Sequence, residues 1–522
     1  MAPNLEDISG IGKATADRLR AGGINSVEKL ASSDINTLIE LKIKGVTEST
    51  ALKYINNAKS LLEEQNVDLS GDITDQTSSN QQILPEKQPS KKQPDAEKLS
   101  KLKEFLKEQA ECNIGLVGHV DHGKTTLVKA LTGDWTDRHS EELERGISIK
   151  LGYSNATILY CSSCDLYLTS YMAEKLRQKG QARFSCPNCF NTLEFRRNIS
   201  FVDAPGHEIL MATMLSGASL MDGACLLIAA DEDCPQPQTR EHLAALNIAG
   251  ISQIIIIQNK IDAVSKEQAL ENYNQIKKFT KGTIAENAPI IPVSAVFGAN
   301  IELVVRAFEE IIPTPELKEN EKFQFLIARS FDINRPGTEI ERLKGGVLGG
   351  SVLKGKINVG EEIEIKPGLK TKNQYSPIRT KVVSISQGSN ILDQGKPGGL
   401  IGLGTRLDPA LTKGDSLIGQ LVGKPASLPE TISEVELEVH LLERVIGAEV
   451  QMKVQQLKHN EKLLLVIGTE KTAGTVTKIL KNSFILNLNP PICPPENFIF
   501  AISRIINRRY RLIGYGKILN HK

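Results

Sequence analysis

The sequence predicts a multidomain fold in which a small all-α module precedes an α/β domain, and two β-barrels follow. Three observations support this prediction. Residues 118–125 have the pattern Gly-x-x-x-x-Gly-Lys-Thr and lie between an apolar run and a helical pattern. From there to residue 314, β-branched runs alternate with helical patterns, which is typical of a doubly wound α/β domain. From about residue 320, short β-branched runs are separated by Gly and Pro turns, which is typical of barrels.

Composition limits the classes of protein that fit. The chain has 522 residues, of which 40% are hydrophobic and 24% charged, and its net charge is +1. The length favours three or four domains, and the small net charge argues against a chain that coats nucleic acid. No apolar run approaches the roughly 20 residues of a membrane span, and the start lacks the pattern of a signal peptide. Eight cysteines, four of them in two Cys-x-x-Cys pairs, fit a reducing compartment, so we expect a cytoplasmic protein.

Residues 1–65 are predicted to form the all-α module. Gly10-Ile11-Gly12 precedes an amphipathic stretch at 15–21, and a shorter version of this pattern at 44–47 leads into 51–62. The module resembles a tandem helix-hairpin-helix domain, particularly that at the amino terminus of archaeal recombinases. In such hairpins the glycine N–H groups face a nucleic-acid phosphate without reading sequence. The second hairpin departs from this pattern because Lys44 replaces the first glycine, so a protein-docking module remains an equal alternative.

Residues 66–98 are predicted to be a disordered linker. The segment is rich in Gln, Ser, Pro and Lys and offers too little apolar surface to offset the entropy of ordering. Asp95 is expected to cap a helix that carries Leu99, Leu102 and Leu106 into the first strand of the α/β domain.

The α/β domain is predicted to span residues 99–315. Strands are expected at 199–202, 223–230, 254–257 and 290–293, with helices between them such as 239–249 and 266–280. The two barrels are expected at 320–425 and 430–522, because the Pro-containing stretch 425–429 divides them.

The stretch 118–125 predicts a phosphate-binding loop. Its glycines allow successive N–H groups to wrap a phosphate chain, and the following helix adds the positive end of its dipole. Lys124 would reach the β- and γ-phosphates, and the Thr125 hydroxyl would bind Mg²⁺. The nucleotide-contacting residues predicted in this loop are Asp121, His122, Gly123, Lys124, Thr125 and Thr126.

Three further motifs follow predicted strands. Asp203 would hold Mg²⁺ through water, and the Gly206 N–H would sense a γ-phosphate. Asn259, Lys260 and Asp262 end the third of these strands, and the Asp262 carboxylate can accept two N–H bonds from guanine but not from adenine. The stretch Ser294, Ala295 and Val296 would offer a main-chain N–H to the guanine O6. All four motifs in order predict a GTP-binding domain.

His207 follows Gly206 at the position where Ras-like proteins carry a water-positioning glutamine. A neutral imidazole there can orient the attacking water, so His207 is the predicted catalytic residue. Residues 135–149 fit a first switch segment, in which Ser148 is the candidate second hydroxyl on Mg²⁺.

Residues 160–190 interrupt this domain with Cys161, Cys164, Cys186 and Cys189. Two Cys-x-x-Cys pairs about 20 residues apart predict a structural Zn²⁺ knuckle with four thiolates in a closed tetrahedron.

These motifs resemble a known family. Residues 118–125 and 203–207 look like those of a translational GTPase, and further stretches are similar to the gamma subunit of archaeal and eukaryotic translation initiation factor 2. Those stretches are 135–143, the zinc knuckle, 217–223, 234–242, 286–292 and 511–516.

The resemblance implies a GTPase domain with two β-barrels and a heterotrimer with alpha and beta subunits. It implies binding of methionylated initiator tRNA in the GTP state, delivery to the small ribosomal subunit and release on hydrolysis. The Mg²⁺ ligands implied by the family are Asp121, Thr125, Gly146 and Ser148. Many translational GTPases have Thr at the position of Ser148, which keeps the hydroxyl. The all-α module is not part of the usual gamma subunit.

Three alternatives remain open from the sequence. They are an elongation-type or selenocysteine-specific GTPase, a GTP-regulated DNA-repair or recombination protein, and a non-enzymatic scaffold. A basic run near the carboxyl terminus either contacts RNA phosphates or is a solvated basic strand. Its residues are Arg504, Arg508, Arg509, Arg511 and Lys517.

Overall fold

The computed structural model divides the chain into two compact units, Met1–Ser90 and Lys91–Lys522. The residues that it describes are 5, 11, 13–33, 50, 54–55, 57–58, 96–134, 152–178, 181–204, 218, 220–334, 337–372, 374–445, 452–496 and 498–521.

The first unit is helical in its described part. Helix α1 spans Lys13–Ala21 and helix α2 spans Val27–Ser32. Ser26 caps α2 by accepting the Lys29 N–H, at 3.3 Å. Apolar side chains from both helices and from residues 54–58 form a small core of their own. Gly10 and Gly12 of the first predicted hairpin turn, the second turn at 44–47 and the linker as far as residue 95 lie outside the described residues.

The second unit begins with an α/β domain built on a seven-stranded sheet, in the order β3-β2-β4-β1-β5-β6-β7. The strands are β1 Cys112–Gly118, β2 Gly152–Cys161, β3 Leu166–Thr169, β4 Glu194–Asp203, β5 Gly223–Ala229, β6 Ile254–Asn259 and β7 Ile290–Pro292. The helices are α3 Ala96–Phe105, α4 Lys124–Thr132, α5 Ser170–Lys175, α6 Pro237–Ala249, α7 Lys266–Thr280 and α8 Ile301–Ile311, with a 3₁₀ turn at Ile261–Ala263.

The predicted strands of this domain are confirmed. Neighbouring strands from β4 to β7 run parallel, and every residue of β1, β5 and β6 is buried, as expected for strands covered on both faces. The sequence did not predict β2 and β3, which lie antiparallel at one edge and carry the knuckle. Helix α3 begins at Ala96, three residues before the expected domain start at 99, and the domain boundaries remain predictions.

Two closed barrels follow. In the first, β11 pairs with both β16 and β12, which closes the six strands β8, β9, β11, β12, β15 and β16. Strand β13 extends from β12, and β10 pairs with β14. The strands are β8 Gln324–Phe331, β9 Val347–Lys354, β10 Ile357–Asn358, β11 Glu362–Thr371, β12 Gln374–Gln387, β13 Asn390–Leu392, β14 Gln394–Gly395, β15 Ile401–Thr405 and β16 Leu421–Gly423. Three 3₁₀ turns lie at Ile340–Arg342, Pro409–Leu411 and Lys413–Asp415.

The second barrel closes in the order β17-β20-β19-β18-β21-β22. Its strands are β17 Ile432–Leu441, β18 Lys462–Ile467, β19 Glu470–Ile479, β20 Phe484–Ile492, β21 Ile499–Ile506 and β22 Arg509–His521. No helix among the described residues is long and apolar enough to cross a membrane.

Both barrels pack on the α/β domain. The segment before β1 is bonded to a turn of the first barrel: the Gly399 N–H donates to the Ala110 carbonyl at 2.6 Å, and the Asn113 amide donates to the Gly398 carbonyl at 3.0 Å. One buried apolar cluster includes Leu246 of α6, Leu326 of the first barrel and Leu512 of the second, so the three domains share part of their core.

Candidate nucleotide and metal sites

Four predicted motifs meet at one edge of the sheet. Gly118 ends β1, Asp203 ends β4, Asn259 ends β6, and Ser294 follows β7. The carboxyl ends of parallel strands lie at the same edge, so these four positions face one crevice. Strand β1 lies between β4 and β5, where the chain changes direction across the sheet, and ligands of open α/β sheets bind at such a point.

The phosphate-binding loop depends on two glycines. Gly118 has φ +145° and Gly123 has φ +88°. A Cβ on Gly118 would lie 2.4 Å from the Leu227 carbonyl oxygen, and a Cβ on Gly123 would lie 2.2 Å from the Asn259 amide nitrogen. Any side chain at either position would therefore force the loop away from its neighbours. Helix α4 starts directly after Gly123, so the first-turn N–H groups are available to an anion.

Hydrogen bonds position the side chains of Lys124 and Thr125 at the start of α4. The Lys124 ammonium donates to the Gly118 carbonyl at 3.0 Å and to the His119 carbonyl at 2.7 Å, which keeps its charge inside the loop. The Thr125 hydroxyl donates to the Asp203 carboxylate at 2.8 Å. The structure therefore brings together two groups that the sequence assigned to Mg²⁺. Asp121 has a left-handed backbone, with φ +61°, in the same loop.

Asn259 connects the loop to the base-binding motifs. Its amide nitrogen donates to the His122 carbonyl at 2.9 Å, and its amide oxygen accepts the Ala295 N–H at 3.1 Å. One side chain thus fixes the phosphate loop and the stretch 294–296 relative to each other. A guanine O6 would share the Ala295 N–H with Asn259 or take the N–H of Val296.

The remaining base-binding side chains are accessible. Asp262 is exposed on the 3₁₀ turn Ile261–Ala263, where its carboxylate can meet a base. Lys260 has φ +62°, and its ammonium lies 3.0 Å from an Asp231 carboxylate oxygen. Val296 is 72% exposed, which leaves apolar surface beside this crevice.

Several predicted site residues lie outside the described residues. They are Gly146 and Ser148 of the first switch segment, together with Gly206 and the predicted catalytic His207. Thr126, by contrast, lies in the first turn of α4, as expected.

Two buried histidines belong to or contact this loop. His122 is fully buried, and its Nδ1 lies 2.9 Å from the Leu227 carbonyl oxygen, so Nδ1 carries the proton. Burial is the main reason that the pKa of His122 is lowered. His242 of α6 accepts the Gly118 N–H at 2.7 Å. His242 lies in one of the stretches that carry the family resemblance, but no rule of spacing assigned it a role.

The four predicted zinc ligands form one cluster. Sulfur atoms of Cys161, Cys164, Cys186 and Cys189 all lie within 4.8 Å of one another. Cys161 ends β2, and its sulfur lies 3.4 Å from that of Cys189. None of the eight cysteines forms a disulfide. Four convergent thiols match the donor set of a closed tetrahedral metal site, so the cluster could hold a metal ion.

A groove of about 710 Å³ separates the α/β domain from the first barrel. Tyr153 and Ser200 line one wall, and Arg329 lies among the residues of the other. The hydroxyl oxygens of Tyr153 and Ser200 are buried and have no hydrogen-bond partner among the described residues. These two oxygens are closed off from the open groove, whereas Ser384 and Ser389, which also line it, are exposed and can meet a polar ligand.

Two residues of the basic carboxyl-terminal run are neither solvated nor positioned for RNA. Arg504 forms an ion pair with Glu461 inside the second barrel. Arg511 is 9% exposed and forms an ion pair with Glu241 of α6. Neither alternative that the sequence left open therefore describes these two residues, because both guanidinium groups are occupied by carboxylates.

Three family models match the chain. "Elongation factor Tu GTP binding domain" matches residues 109–314, "Initiation factor eIF2 gamma, C terminal" matches 433–518, and "SAM-like Helix-hairpin-helix tandem" matches 3–60.

Several relatives match over most of the chain. Translation initiation factor 2 subunit gamma from Pyrococcus furiosus is 56% identical over 414 residues, which cover 78% of this chain and 98% of that protein. The protein of the same name from Methanocaldococcus jannaschii is 55% identical over 414 residues, with the same coverage. About a fifth of this chain therefore has no counterpart in them.

Solved structures share the fold at low identity. A bacterial selenocysteine-specific elongation factor, EF-Sec, has a TM-score of 0.60 at 22% identity over 79% of this chain and 59% of that chain, less than two thirds of its length. The elongation factor SelB from Methanococcus maripaludis, solved with the GTP analogue GppNHp, has a TM-score of 0.56 at 21% identity over 80% of each chain.

Proposed function

Because the chain belongs to the family of gamma subunits of translation initiation factor 2, which are translational GTPases, we propose that it carries methionylated initiator tRNA. In this proposal the tRNA binds when GTP is bound, is delivered to the small ribosomal subunit and is released after hydrolysis. The partners are the alpha and beta subunits of the same factor in a heterotrimer, and the compartment is the cytoplasm.

The observation that supports GTP as the ligand is the pair of hydrogen bonds that the Asn259 side chain makes. The phosphate loop and the base-binding stretch belong to one rigid site because the same amide bonds His122 and Ala295. Around it we assign phosphate contacts to residues 121–126 and to Gly206, and base contacts to Lys260, Asp262 and residues 294–296.

Mg²⁺ would be held by Thr125 and Ser148, with Asp203 acting through water, and with Asp121 and Gly146 as further ligands. When bound, the ion neutralises charge that develops on the phosphates. Lys124, already inside the loop, needs to move only from the Gly118 and His119 carbonyl oxygens to a phosphate oxygen. His207 would orient the attacking water, and loss of the γ-phosphate would release the two switch segments.

The acceptor end of the tRNA is proposed to enter the groove between the α/β domain and the first barrel. The exposed Ser384 and Ser389 give that groove hydroxyl groups that a ligand can bind. Because Asp134 and Ser154 line the same groove, close to the start of the first switch segment, the bound nucleotide can control access to it.

Zinc is the metal proposed for the four thiols. Cys161, Cys164, Cys186 and Cys189 provide a full tetrahedral set, which leaves no open position for catalysis.

Filter binding tests this proposal. Initiator and elongator tRNAs, both methionylated, are titrated with the full chain in GTP and in GDP. We expect preferential binding of initiator tRNA in GTP. Equal binding of both tRNAs would favour the elongation-type alternative, and no dependence on the nucleotide would contradict the proposal. Ser384→Ala combined with Ser389→Ala is expected to weaken tRNA binding and to leave GTP binding unchanged, with Ser427→Ala, outside the groove, as the control.

A further inference from the structure

One turn of helix α6 contacts both the phosphate loop and the second barrel. His242 is 2% exposed, and its Nδ1 accepts the Gly118 N–H at 2.7 Å. An accepting Nδ1 requires the proton on Nε2, so the imidazole is neutral. Burial is the main cause that holds the pKa of His242 well below its usual value, and Lys124 contributes to the same effect. At neutral pH the ring therefore stays neutral, and its Nδ1 can accept the Gly118 N–H.

Gly118 is the residue at which the chain leaves the sheet. Its φ of +145° and its close approach to the Leu227 carbonyl oxygen leave no room for a side chain at this position. Both of its backbone polar groups are occupied: the N–H by His242 and the carbonyl by the Lys124 ammonium. Without His242 the Gly118 N–H would be buried with no acceptor. That cost would destabilise the present conformation of the loop relative to other conformations.

The preceding residue of α6 connects to the second barrel. A Glu241 carboxylate oxygen lies 3.2 Å from the Arg511 guanidinium of β22, and the two side chains are 4% and 10% exposed. The second oxygen of Glu241 has no hydrogen-bond partner among the described residues. Burial raises the pKa of Glu241, while Arg511 opposes that shift. A buried charge that depends on one partner holds that partner firmly, because separating them leaves the charge uncompensated.

We propose that His242 is a positioning residue for the phosphate loop, and that the Glu241–Arg511 ion pair holds α6 in the place where His242 can act. The second barrel thereby stabilises the form of the loop that binds nucleotide. His242 does not touch the nucleotide in this scheme and acts through Gly118. The inference depends on the nucleotide site and not on the proposed tRNA.

Release of a fluorescent GDP from the full chain tests the first step. His242→Leu removes the acceptor, and we expect GDP release about tenfold faster or more. His242→Asn is expected to restore slow release, because its amide oxygen can occupy the position of Nδ1. If His242→Leu does not fold, His242→Gln replaces it, since its oxygen lies nearer the position of Nε2. A wild-type release rate in His242→Leu, or in His242→Gln where the Leu variant does not fold, overturns the proposal. It is also overturned if His242→Asn releases GDP as fast as that variant at equal thermal stability.

The second step is tested by removing both charges together, as Glu241→Leu with Arg511→Met, so that no buried charge is left alone. We expect GDP release several-fold faster, and a smaller effect of the same change when His242→Leu is already present. The matched control is Glu461→Leu with Arg504→Met, an ion pair of similar exposure inside the second barrel. An unchanged release rate in the first pair, or an equal acceleration in the control pair, contradicts the link.

Discussion

Asp262 is the residue on which discrimination between purine bases should depend. It is exposed on the turn after β6, while the neighbouring Asn259 is committed to internal hydrogen bonds. Asp262→Asn replaces an acceptor by an amide that can also donate, which suits the extra oxygen of xanthine. We expect weaker GTP binding and stronger binding of xanthosine triphosphate in competition titrations. Equal GTP affinity of both proteins would contradict the assignment.

His207 is the residue expected to govern the rate of hydrolysis. If it orients water in the transition state, His207→Ala should slow single-turnover hydrolysis by about 10²-fold or more. GTP affinity should stay nearly constant, because the imidazole is not assigned a contact in the ground state. His459→Ala, an exposed histidine of the second barrel, serves as the control. An unchanged rate with and without ribosomes would rule out the role.

The sequence predicts the roles of residues that belong to a motif, but it does not predict contacts between residues that are far apart along the chain. Lys124, Thr125 and Asp203 were found because spacing between a strand and a helix determines what they can reach. The contacts of His242 and Arg511 were not, because their partners Gly118 and Glu241 are 124 and 270 positions away along the chain. The first contact depends on how a helix packs on the sheet and the second on how two domains pack, and no local pattern encodes either.

At the scale of single elements, the buried parallel strands were predictable and the edge strands were not. The run Ile254–Asn259 is apolar enough to indicate a fully buried strand. Strands β2 and β3 mix polar and apolar residues: residues 153–157 of β2 line the groove, and Cys161 at its end belongs to the knuckle. Their pattern therefore matches neither a buried strand nor a regular alternation.

The knuckle is the element whose folding should depend on metal. Cys161→Ser or Cys186→Ser removes one thiolate of four, so we expect lower zinc content and loosening of residues 160–190 in hydrogen exchange. Nucleotide binding should be largely retained, since the phosphate loop is held by Asn259 and His242 and not by this segment. Cys234→Ser, outside the cluster, is the control. Absence of zinc from protein freshly purified under reducing conditions would contradict the site.

At the scale of the whole molecule, the α/β domain and the two barrels share one buried apolar cluster. In addition, each barrel bonds to a segment next to, or in contact with, the phosphate loop. The first barrel bonds to the segment that leads into β1, and the second bonds to α6. The loop after β1 therefore lies between elements that bond to each of the two barrels. This arrangement suits a factor in which tRNA affinity must follow the state of the nucleotide.

The amino-terminal unit is the part that the relatives do not explain. If it is a pair of phosphate-binding hairpins, N–H groups around Gly10-Ile11-Gly12 should contact a nucleic-acid backbone, with Lys13 and Arg18 nearby. Such contacts carry little base information, so they should raise affinity for RNA in general and weaken with salt. A linker of about 30 residues would let the unit act as a tether some tens of ångströms away.

Deletion of residues 1–94 tests this tether and keeps helix α3 whole, since that helix begins at Ala96. We expect unchanged GTP binding and unchanged preference for initiator tRNA, with weaker association with ribosomes, most clearly at low salt where phosphate contacts are strongest. The full chain carrying Lys13→Gln and Arg18→Gln should lose part of the same affinity, because two charges are removed while the helices of the unit are retained. If instead the deletion abolishes binding of a protein partner and leaves RNA association equal at every salt concentration, the unit is a docking module and the tether is wrong.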